Sequence, residues 1–448
     1  MNHTKRDFVS AVFTLVFFMV VSSVVCYAGE ELADFKLLKA ARDGDAQYAK
    51  SLIEKGAYVD FKDYDGWTPL MHAVSKGSVE TVKLLIEKGA NVNAEDKEGF
   101  TALMRADGNN SAEIAKILID KGAKVDKSLK SGMTALMKIS SRGITETAKL
   151  LIEKGANVNA VKDDGYTALM GAARNKNTEI VKLLIEKGAN VNSADKGGNT
   201  ALIKAVEGDS TEIVKILIEK GANVNSAGEY GFTALMKAAR SGRIEIAKLL
   251  IEKGANVNAV NEYGSTVLLE TADSELVKLL IEKGANVNAA DKDGWTPLMK
   301  ADYSIAKLLI EKGANVNAVN KDGTTALIKS AATTSTETTK LLIEKGAKVN
   351  TADNDGMTAL MKAVEIGNAE TVKLLIEKGA NVNAEDKNGQ TALMRAVSDD
   401  KVAVAKLLID KGAKVNAKDK SGLTALDYAA KEKQTLIINL IKRSGAKK

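Results

Sequence analysis

The sequence predicts an all-α fold in which one short helical unit is repeated along nearly the whole chain. Three observations predict it. A glycine recurs at a spacing of 33 residues, two apolar helical segments follow each glycine, and each segment has about ten residues or fewer. Helices that short are marginal alone in water, so they must bury their apolar faces on neighbouring units. We therefore expect a stack of about thirteen units with nearest-neighbour interfaces.

The repeated glycine sets the register of the units. Its spacing falls to 30 between Gly264 and Gly294 and to 29 between Gly294 and Gly323. These two short units lack about one helical turn each between their helices. We expect local irregularity at 271–273 and 301–303, as a hinge, a notch for a partner or a tolerated deletion. The glycines are Gly66, Gly99, Gly132, Gly165, Gly198, Gly231, Gly264, Gly294, Gly323, Gly356, Gly389 and Gly422.

The unit that begins at Gly231 shows why its segments should be helical. Thr233 can accept a hydrogen bond from a first-turn backbone N–H, so it is a good N-cap for a helix over 234–239. A second helix over 245–253 has a wide apolar arc, as expected for a helix covered on both sides. Gly254 then stops it where a left-handed C-cap is favoured. In eight units a methionine follows the leucine of the first helix, and we expect it to fill the core.

The first 28 residues have the composition of an export signal. Lys5 and Arg6 precede an apolar run over 8–25, and Ala28 offers a small residue for cleavage before Gly29. Because the run has about 18 residues, it could also remain as a membrane anchor. We expect an exported protein, periplasmic or secreted, with an inner-membrane anchor facing the periplasm as the alternative. The predicted divisions are a signal peptide or anchor at 1–28, a divergent capping repeat at 29–62, repeats at 63–418 and a capping repeat at 419–448.

The units resemble ankyrin repeats. The resemblance rests on the runs D-x-x-G-x-T-A-L-M-x-A and E-I-V-K-L-L-I-E-K-G-A-N-V-N-A, and it covers essentially all of residues 30–448. It implies β-hairpin-like fingers, two antiparallel helices per unit and a single curved array, with the fingers and first helices on the concave face. The sequence departs from the family at the residue after the threonine, which is usually proline. Only Pro69 and Pro297 keep that proline. Methionine or another residue replaces the usual histidine, so apolar packing should replace its hydrogen bonds.

The composition argues against most kinds of catalysis. The chain has one cysteine, Cys26, and two histidines, His3 and His72, and it carries no phosphate-binding or hydrolase motif. We therefore expect no enzyme, no cofactor, no metal and no small-molecule substrate. We expect His72 to be a solvated helix residue, with a partner contact as the alternative. Recurrent aspartates such as Asp63 and Asp291 should bond their own turns rather than calcium.

Two positions vary most between units, and both are candidates for partner contacts. The first is the residue directly after the repeated glycine, which we call the finger position. Aromatic side chains at or near it are candidate hot spots, with packing against the next finger as the alternative. These residues are Trp67, Phe100, Tyr166, Tyr230, Phe232, Tyr263 and Trp295.

The second variable position is the sixth residue after the repeated glycine, which we call the first-helix position. It lies two residues past a buried leucine, about 200° round the helix, and should face away from the core. Its residues are mostly basic: Arg105, Lys138, Lys204, Lys237, Lys300, Lys329, Lys362 and Arg395. They predict a broken basic stripe that attracts an acidic partner, with a stripe serving only solubility as the alternative.

The sequence therefore predicts a monomeric, non-catalytic scaffold that binds an acidic protein through its fingers and first helices. The net charge is +6, from 64 basic and 58 acidic residues, which is too small a bias for a general nucleic-acid binder. Membrane contact is expected only through residues 8–25, if they are not cleaved. A membrane-tethered scaffold is the alternative function.

Overall fold

The computed structural model describes residues 32–445, so the predicted signal or anchor at 1–28 lies outside the described residues. The chain divides into two compact parts, one ending at Glu229 and one beginning at Tyr230, which we call the N-terminal and C-terminal halves. Both consist of pairs of short α-helices joined by loops. The described residues contain isolated β-bridges within some fingers but no longer strand. The predicted all-α fold is confirmed.

The helices keep the order that the repeated units predict. In the N-terminal half they are α1 (32–43), α2 (Ala46–Glu54), α3 (Pro69–Lys76), α4 (Val79–Glu87), α5 (Ser111–Asp120), α6 (Ala135–Arg142), α7 (Thr145–Glu153), α8 (Ala168–Arg174), α9 (Thr178–Glu186), α10 (Ala201–Gly208) and α11 (Thr211–Glu219). In the C-terminal half they are α12 (Ala234–Arg240), α13 (Ile244–Glu252), α14 (Ser274–Glu282), α15 (Pro297–Lys300), α16 (Tyr303–Glu311), α17 (Ala326–Ala331), α18 (Glu337–Glu344), α19 (Ala359–Ile366), α20 (Ala369–Glu377), α21 (Ala392–Ser398), α22 (Val402–Asp410), α23 (Ala425–Lys431) and α24 (Thr435–Arg443). Short 3-10 helices lie at Leu103–Arg105, Glu229–Gly231 and Val267–Leu269.

Within each half the helices form two layers. First helices such as α6, α8 and α10 contact one another in succession, and second helices such as α7, α9 and α11 do the same. The two helices of a unit also contact each other, as α8 does α9. Each unit therefore buries its apolar faces on its neighbours, as the shortness of its helices requires.

The core lies between the two layers. The methionines of the first helices are at most 4% exposed, which confirms their predicted role: Met71, Met104, Met137, Met170, Met236, Met299, Met361 and Met394. Thr233 caps α12 as predicted, because its Oγ1 accepts the backbone N–H of Met236 at 3.3 Å. Gly254 has a φ of +85° after α13, and this left-handed conformation lets the N–H of Ala255 reach the Leu250 carbonyl at 2.9 Å.

The nearly invariant A-N-V-N segment after each second helix links successive units. Asn192 Nδ2 donates to the Gly221 carbonyl at 3.0 Å, and Asn192 Oδ1 accepts the backbone N–H of Asn223 at 2.8 Å. The same two bonds are made by Asn93, Asn159, Asn258, Asn288, Asn317, Asn350 and Asn383. This asparagine ladder gives a physical reason for the low variation of the segment.

The two short units have irregular first helices, as their length predicts. One is only the 3-10 turn Val267–Leu269, and the other is the four-residue α15. Their N-cap threonine side chains make no cap bond, and Thr266 Oγ1 and Thr296 Oγ1 are buried without a hydrogen-bond partner among the described residues. A third short first helix, Leu103–Arg105, lies in a unit of full length, so the glycine spacing does not predict it. Asp107-Gly108-Asn109 follows it, and such residues compete with helix formation.

The first and last helix pairs of the described residues are α1 with α2 and α23 with α24. Their surfaces are not uniformly polar, since Phe35 is 57% exposed and Leu436 is 71% exposed. The capping roles of 29–62 and 419–448 therefore stay predictions.

Candidate functional site

Most fingers are closed by a side chain three residues before the repeated glycine, at what we call the turn position. Asp96 Oδ1 accepts the backbone N–H groups of Glu98 and Phe100 at 2.9 and 2.8 Å. The same two bonds are made by Asp63, Asp195, Asn261, Asp291, Asn320, Asp353, Asp386 and Asp419. The prediction that the recurrent aspartates bond their own turns is confirmed at these positions.

The second carboxylate oxygen of the turn position reaches the first-helix position nine residues later. Asp96 Oδ2 lies 2.6 Å from a guanidinium nitrogen of Arg105. Equivalent contacts join His72 to Asp63, Lys204 to Asp195, Arg395 to Asp386 and Tyr428 to Asp419. At Arg105, Lys204 and Arg395, a carboxylate of the same unit therefore neutralises the positive charge, so these members of the predicted basic stripe are compensated.

His72 is buried rather than solvated, so that prediction is wrong. It is 8% exposed, its Nε2 lies 2.8 Å from Asp63 Oδ2, and its ring centre lies 5.1 Å from that of Trp67. Burial lowers the pKa of His72 below its ordinary value, although the Asp63 carboxylate acts in the opposite direction. The Asp63 carboxylate therefore provides a hydrogen-bond partner for the imidazole within the same unit.

Arg395 belongs to a larger cluster of charges on the first helices of the C-terminal half. Its guanidinium contacts Glu365 Oε1 at 2.6 Å as well as Asp386, and Lys362 Nζ lies 3.1 Å from Glu365 Oε2. Burial alone would raise the pKa of Asp386, but Arg395 and two backbone N–H groups together hold that pKa below its usual value. Carboxylates of this cluster therefore neutralise the positive charges of both Lys362 and Arg395.

Where the turn position is not acidic, the first-helix position is glycine or glutamate in two units but remains lysine in others. Lys162 is followed nine residues later by Gly171, Asn261 by Glu270, and Leu129 by Lys138. Without a carboxylate at its own turn position, Lys138 pairs with Asp107 of the preceding unit at 2.9 Å. The turn residues were missed by the sequence analysis, although their nine-residue relation to the first-helix position is a signal that could have found them.

The finger aromatics of the N-terminal half pack against these cations. The Arg105 guanidinium carbon lies 4.0 Å from the ring centre of Trp67 and 4.3 Å from that of Phe100. Lys138 Nζ lies 5.3 Å from the ring centre of Phe100. These are cation–π distances, and both rings are half-buried. The variable finger and first-helix positions therefore form one shared surface in this half.

The remaining finger aromatics differ in accessibility. Tyr166 packs over Gly171, where an added Cβ would lie 2.9 Å from the Tyr166 hydroxyl, and burial raises the pKa of Tyr166. Phe232 is only 5% exposed, which favours the packing alternative for this residue, and Lys237 Nζ lies 5.6 Å from its ring centre.

Two tyrosines of the C-terminal half fit the predicted exposed fingers better. Tyr230 is 52% exposed and Tyr263 is 53% exposed. Their ring centres lie 6.0 Å apart, and that of Tyr263 lies 6.3 Å from the ring centre of Phe232. They form an accessible aromatic pair supported by a buried ring.

Trp295, Lys300 and Lys329 come together at a cleft of about 430 Å³ beside α15 and α17. Lys329 Nζ lies 5.4 Å from the Trp295 ring centre. Both lysines are exposed, and neither has an acidic partner within the part of the chain that the structure describes. Ser330, Thr333 and Thr338 add hydroxyl groups to the lining, and no sequence pattern pointed to these three residues.

The groups assembled here are aromatic rings, compensated charges and two lysines without acidic partners, which are groups suited to binding. Among residues 32–445, no three His, Cys, Asp or Glu side chains are grouped so that they could hold a metal ion. No helix within this same range is long and apolar enough to cross a membrane. Cys26 and His3 lie outside it.

Comparison with family models matches the chain to ankyrin repeats. Groups of three copies match residues 37–128, 125–195, 192–261, 258–320 and 300–386, and a model of many copies matches 375–429. No curated protein matches the chain. Among solved structures, the chain is similar to the crystal structure of the human ASB11 ankyrin repeat domain. The identity is 27%, the match covers 49% of this chain and 98% of that chain, and the TM-score is 0.46.

Proposed function

Because the chain belongs to the ankyrin repeat family, we propose that it is a non-catalytic scaffold that binds a protein partner through its fingers and first helices. Ankyrin repeats generally serve as protein-interaction scaffolds, which supports this assignment. We propose further that the chain acts as a monomer and that the partner presents acidic groups.

One observation carries the proposal: the two most variable positions of the units lie on a common surface. In the N-terminal half, the finger residues Trp67 and Phe100 enclose the first-helix residue Arg105. The segments around them are nearly invariant and serve the core or the asparagine ladder. Sequence variation that is concentrated on an accessible surface of an invariant frame is expected where a repeat protein recognises its partner.

Site-specific photo-crosslinking in the producing cells tests the proposal. A photoreactive phenylalanine analogue would replace Tyr230 or Tyr263 at the exposed fingers, and Lys278 or Lys307 on second helices in matched control variants. We expect a discrete covalent adduct with another protein from the finger positions and none from the controls. Equal adducts from all four positions, or none from the fingers, would contradict binding through this surface.

We also propose that the protein is exported, as a periplasmic or secreted protein. The support is the charged, apolar and small-residue segments within 1–28. A scaffold anchored by residues 8–25 is the second candidate, because that run is long enough to span a bilayer. N-terminal sequencing of the protein purified from its own cells separates them: a first residue of Gly29 supports release, and an intact Met1 supports the anchor.

A further inference from the structure

The cleft beside α15 exists because one unit is short. The unit that begins at Gly294 has 29 residues before the next repeated glycine, and α15 ends after four residues. Ala301 then has extended backbone angles, φ −77° and ψ 140°, so the chain leaves the first-helix layer one turn early. The space that a second helical turn fills in units such as that of α19 is left open toward α17.

The lysines at this cleft differ from the other cations at the first-helix position. Arg105, Lys204 and Arg395 each contact a carboxylate at the turn position of their own unit. The turn position before Lys329 is Asn320, whose Oδ1 accepts two backbone N–H groups and carries no charge. Asp291 is the turn residue before Lys300, but it forms no ion pair with it. The cleft therefore presents two positive charges that no side chain between residues 32 and 445 neutralises.

The other walls of the cleft favour an apolar group and hydrogen-bond acceptors. Trp295 offers a half-buried aromatic ring, and Ala301 and Leu298 add apolar surface. The buried Thr338 adds a hydroxyl group to the lining, and a hydroxyl can donate a hydrogen bond to an incoming carboxylate. A volume of about 430 Å³ lies at the small end of ordinary ligand pockets, which span roughly 300–1,000 Å³, and suits a few side chains rather than a folded domain.

We propose that this cleft binds an acidic peptide segment of the partner, with one bulky apolar side chain against Trp295 and carboxylates on Lys300 and Lys329. The proposal rests on the protein-binding function proposed above and adds the place and the chemistry of recognition. Nucleic acid is disfavoured, because affinity for a phosphate backbone needs a longer basic surface.

Selection from a displayed library of random twelve-residue peptides tests the proposal on the full chain. Selection would run in parallel on the wild type, on a Lys300→Glu/Lys329→Glu variant and on a Lys278→Glu/Lys307→Glu control. The control makes the same change of charge at exposed lysines of α14 and α16. We expect the wild type and the control to enrich peptides that are rich in Asp and Glu and contain one large apolar residue. Their affinity should fall with rising ionic strength and drop about tenfold or more in the cleft variant.

Tryptophan fluorescence locates the bound peptide. The chain has two tryptophans, so a Trp67→Phe background leaves Trp295 as the only reporter. An enriched peptide should shift the emission of Trp295 and protect it from iodide quenching. The same peptide with its apolar residue changed to serine should do so less.

Three outcomes would overturn the cleft proposal: peptides that bind the wild type and the cleft variant equally, peptides without acidic enrichment, and no enrichment on the wild type. A Trp295 response to inorganic phosphate alone, at matched ionic strength and as large as that to peptide, would also overturn it in favour of a small-anion site. Peptides that bind all three proteins equally would leave the scaffold function standing. The scaffold function is tested separately by the crosslinking experiment, and an absence of crosslinks at Tyr230 and Tyr263 would contradict it.

Discussion

Asp96 combines two roles in one side chain. Its Oδ1 closes the finger turn, and its Oδ2 pairs with Arg105, while the side chain itself is 1% exposed. A buried carboxylate is tolerated only when it is paired and hydrogen-bonded. Arg105 is held in place in turn by the rings of Trp67 and Phe100. The positive charge of Arg105 therefore stabilises its own unit first, and only its exposed part can contact a partner.

Replacing Arg105 by methionine should destabilise the N-terminal half by about 2–3 kcal/mol, because the buried Asp96 carboxylate loses its counter-charge but keeps two backbone N–H donors. Urea denaturation followed by circular dichroism measures the loss. Lys83→Met is the matched control, since Lys83 and Glu113 form an exposed pair that contributes about 0–1 kcal/mol. Equal small losses in the two variants would contradict a structural role for Arg105.

His72 should titrate below its ordinary pKa of 6.5, because burial disfavours the imidazolium. Below pH 6.5 the unfolded chain then binds more protons at this residue than the folded chain does. The stability of the N-terminal half should therefore fall as the pH drops through 6.5, and His72→Gln should remove that part of the dependence. Proton NMR of the imidazole measures the pKa directly. A pKa above 6.5 would mean that the Asp63 contact outweighs burial.

At the scale of elements, the asparagine ladder joins units through side chains that are exposed or half-buried. Asn192 reaches forward to two backbone groups of the next unit, whereas Asn190 Oδ1 accepts only the N–H of Asn192 in its own turn. The ladder thus provides polar connections between units, in addition to the apolar contacts of the two helix layers. Its geometry depends on a constant distance between units, which explains why this segment varies little.

Asn192→Ala should cost about 1–2 kcal/mol, since two hydrogen bonds between units are lost at about 0.5–1.5 kcal/mol each. Asn190→Ala should cost clearly less, because only one bond within a turn is lost. Urea midpoints of the two variants, measured side by side, give the comparison. A larger loss for Asn190→Ala would show that the turn, and not the connection between units, is the important part of the ladder.

The elements themselves could be read from the sequence because each is fixed by local signals. Thr233, Gly254 and the buried methionines act within a few residues of their place in the chain. The first helix at Leu103–Arg105 escaped prediction, since its unit has full length and only the residues after it disfavour a longer helix. The compensation of Arg105 by Asp96 escaped as well, because it depends on how the finger folds back over the helix.

At the scale of the molecule, the predicted fold needed only the repeat and the shortness of the helices, whereas the site depended on exposure. The variable positions were located correctly along the chain, but composition alone could not separate the paired Lys204 from the exposed Lys300. Nor could it separate the buried Phe232 from the exposed Tyr263. These differences arise from which neighbour fills the space around each side chain, and that is decided by packing between units.

Contacts between neighbouring units dominate the structure, so its stability should be a sum of local contributions rather than one all-or-none term. The two tryptophans allow a direct test, since Trp67 lies in the N-terminal half and Trp295 in the C-terminal half. The unit of Trp67 has the full-length α3, whose N-terminus is capped by Thr68, whereas Trp295 precedes α15, which has four residues and no side-chain cap.

In the single-tryptophan variants Trp67→Phe and Trp295→Phe, we expect the fluorescence of Trp295 to report a urea midpoint about 0.7–2 M below that reported by Trp67. Caps are worth about 1 kcal/mol each, and two are missing from the short units, while the slope of the free energy of unfolding is about 1–3 kcal/mol per molar urea. Circular dichroism of both variants provides the control, because it must span both fluorescence transitions. Coincident midpoints for the two tryptophans and the circular dichroism would instead show that the chain unfolds cooperatively, and that the irregular units are as stable as the regular ones.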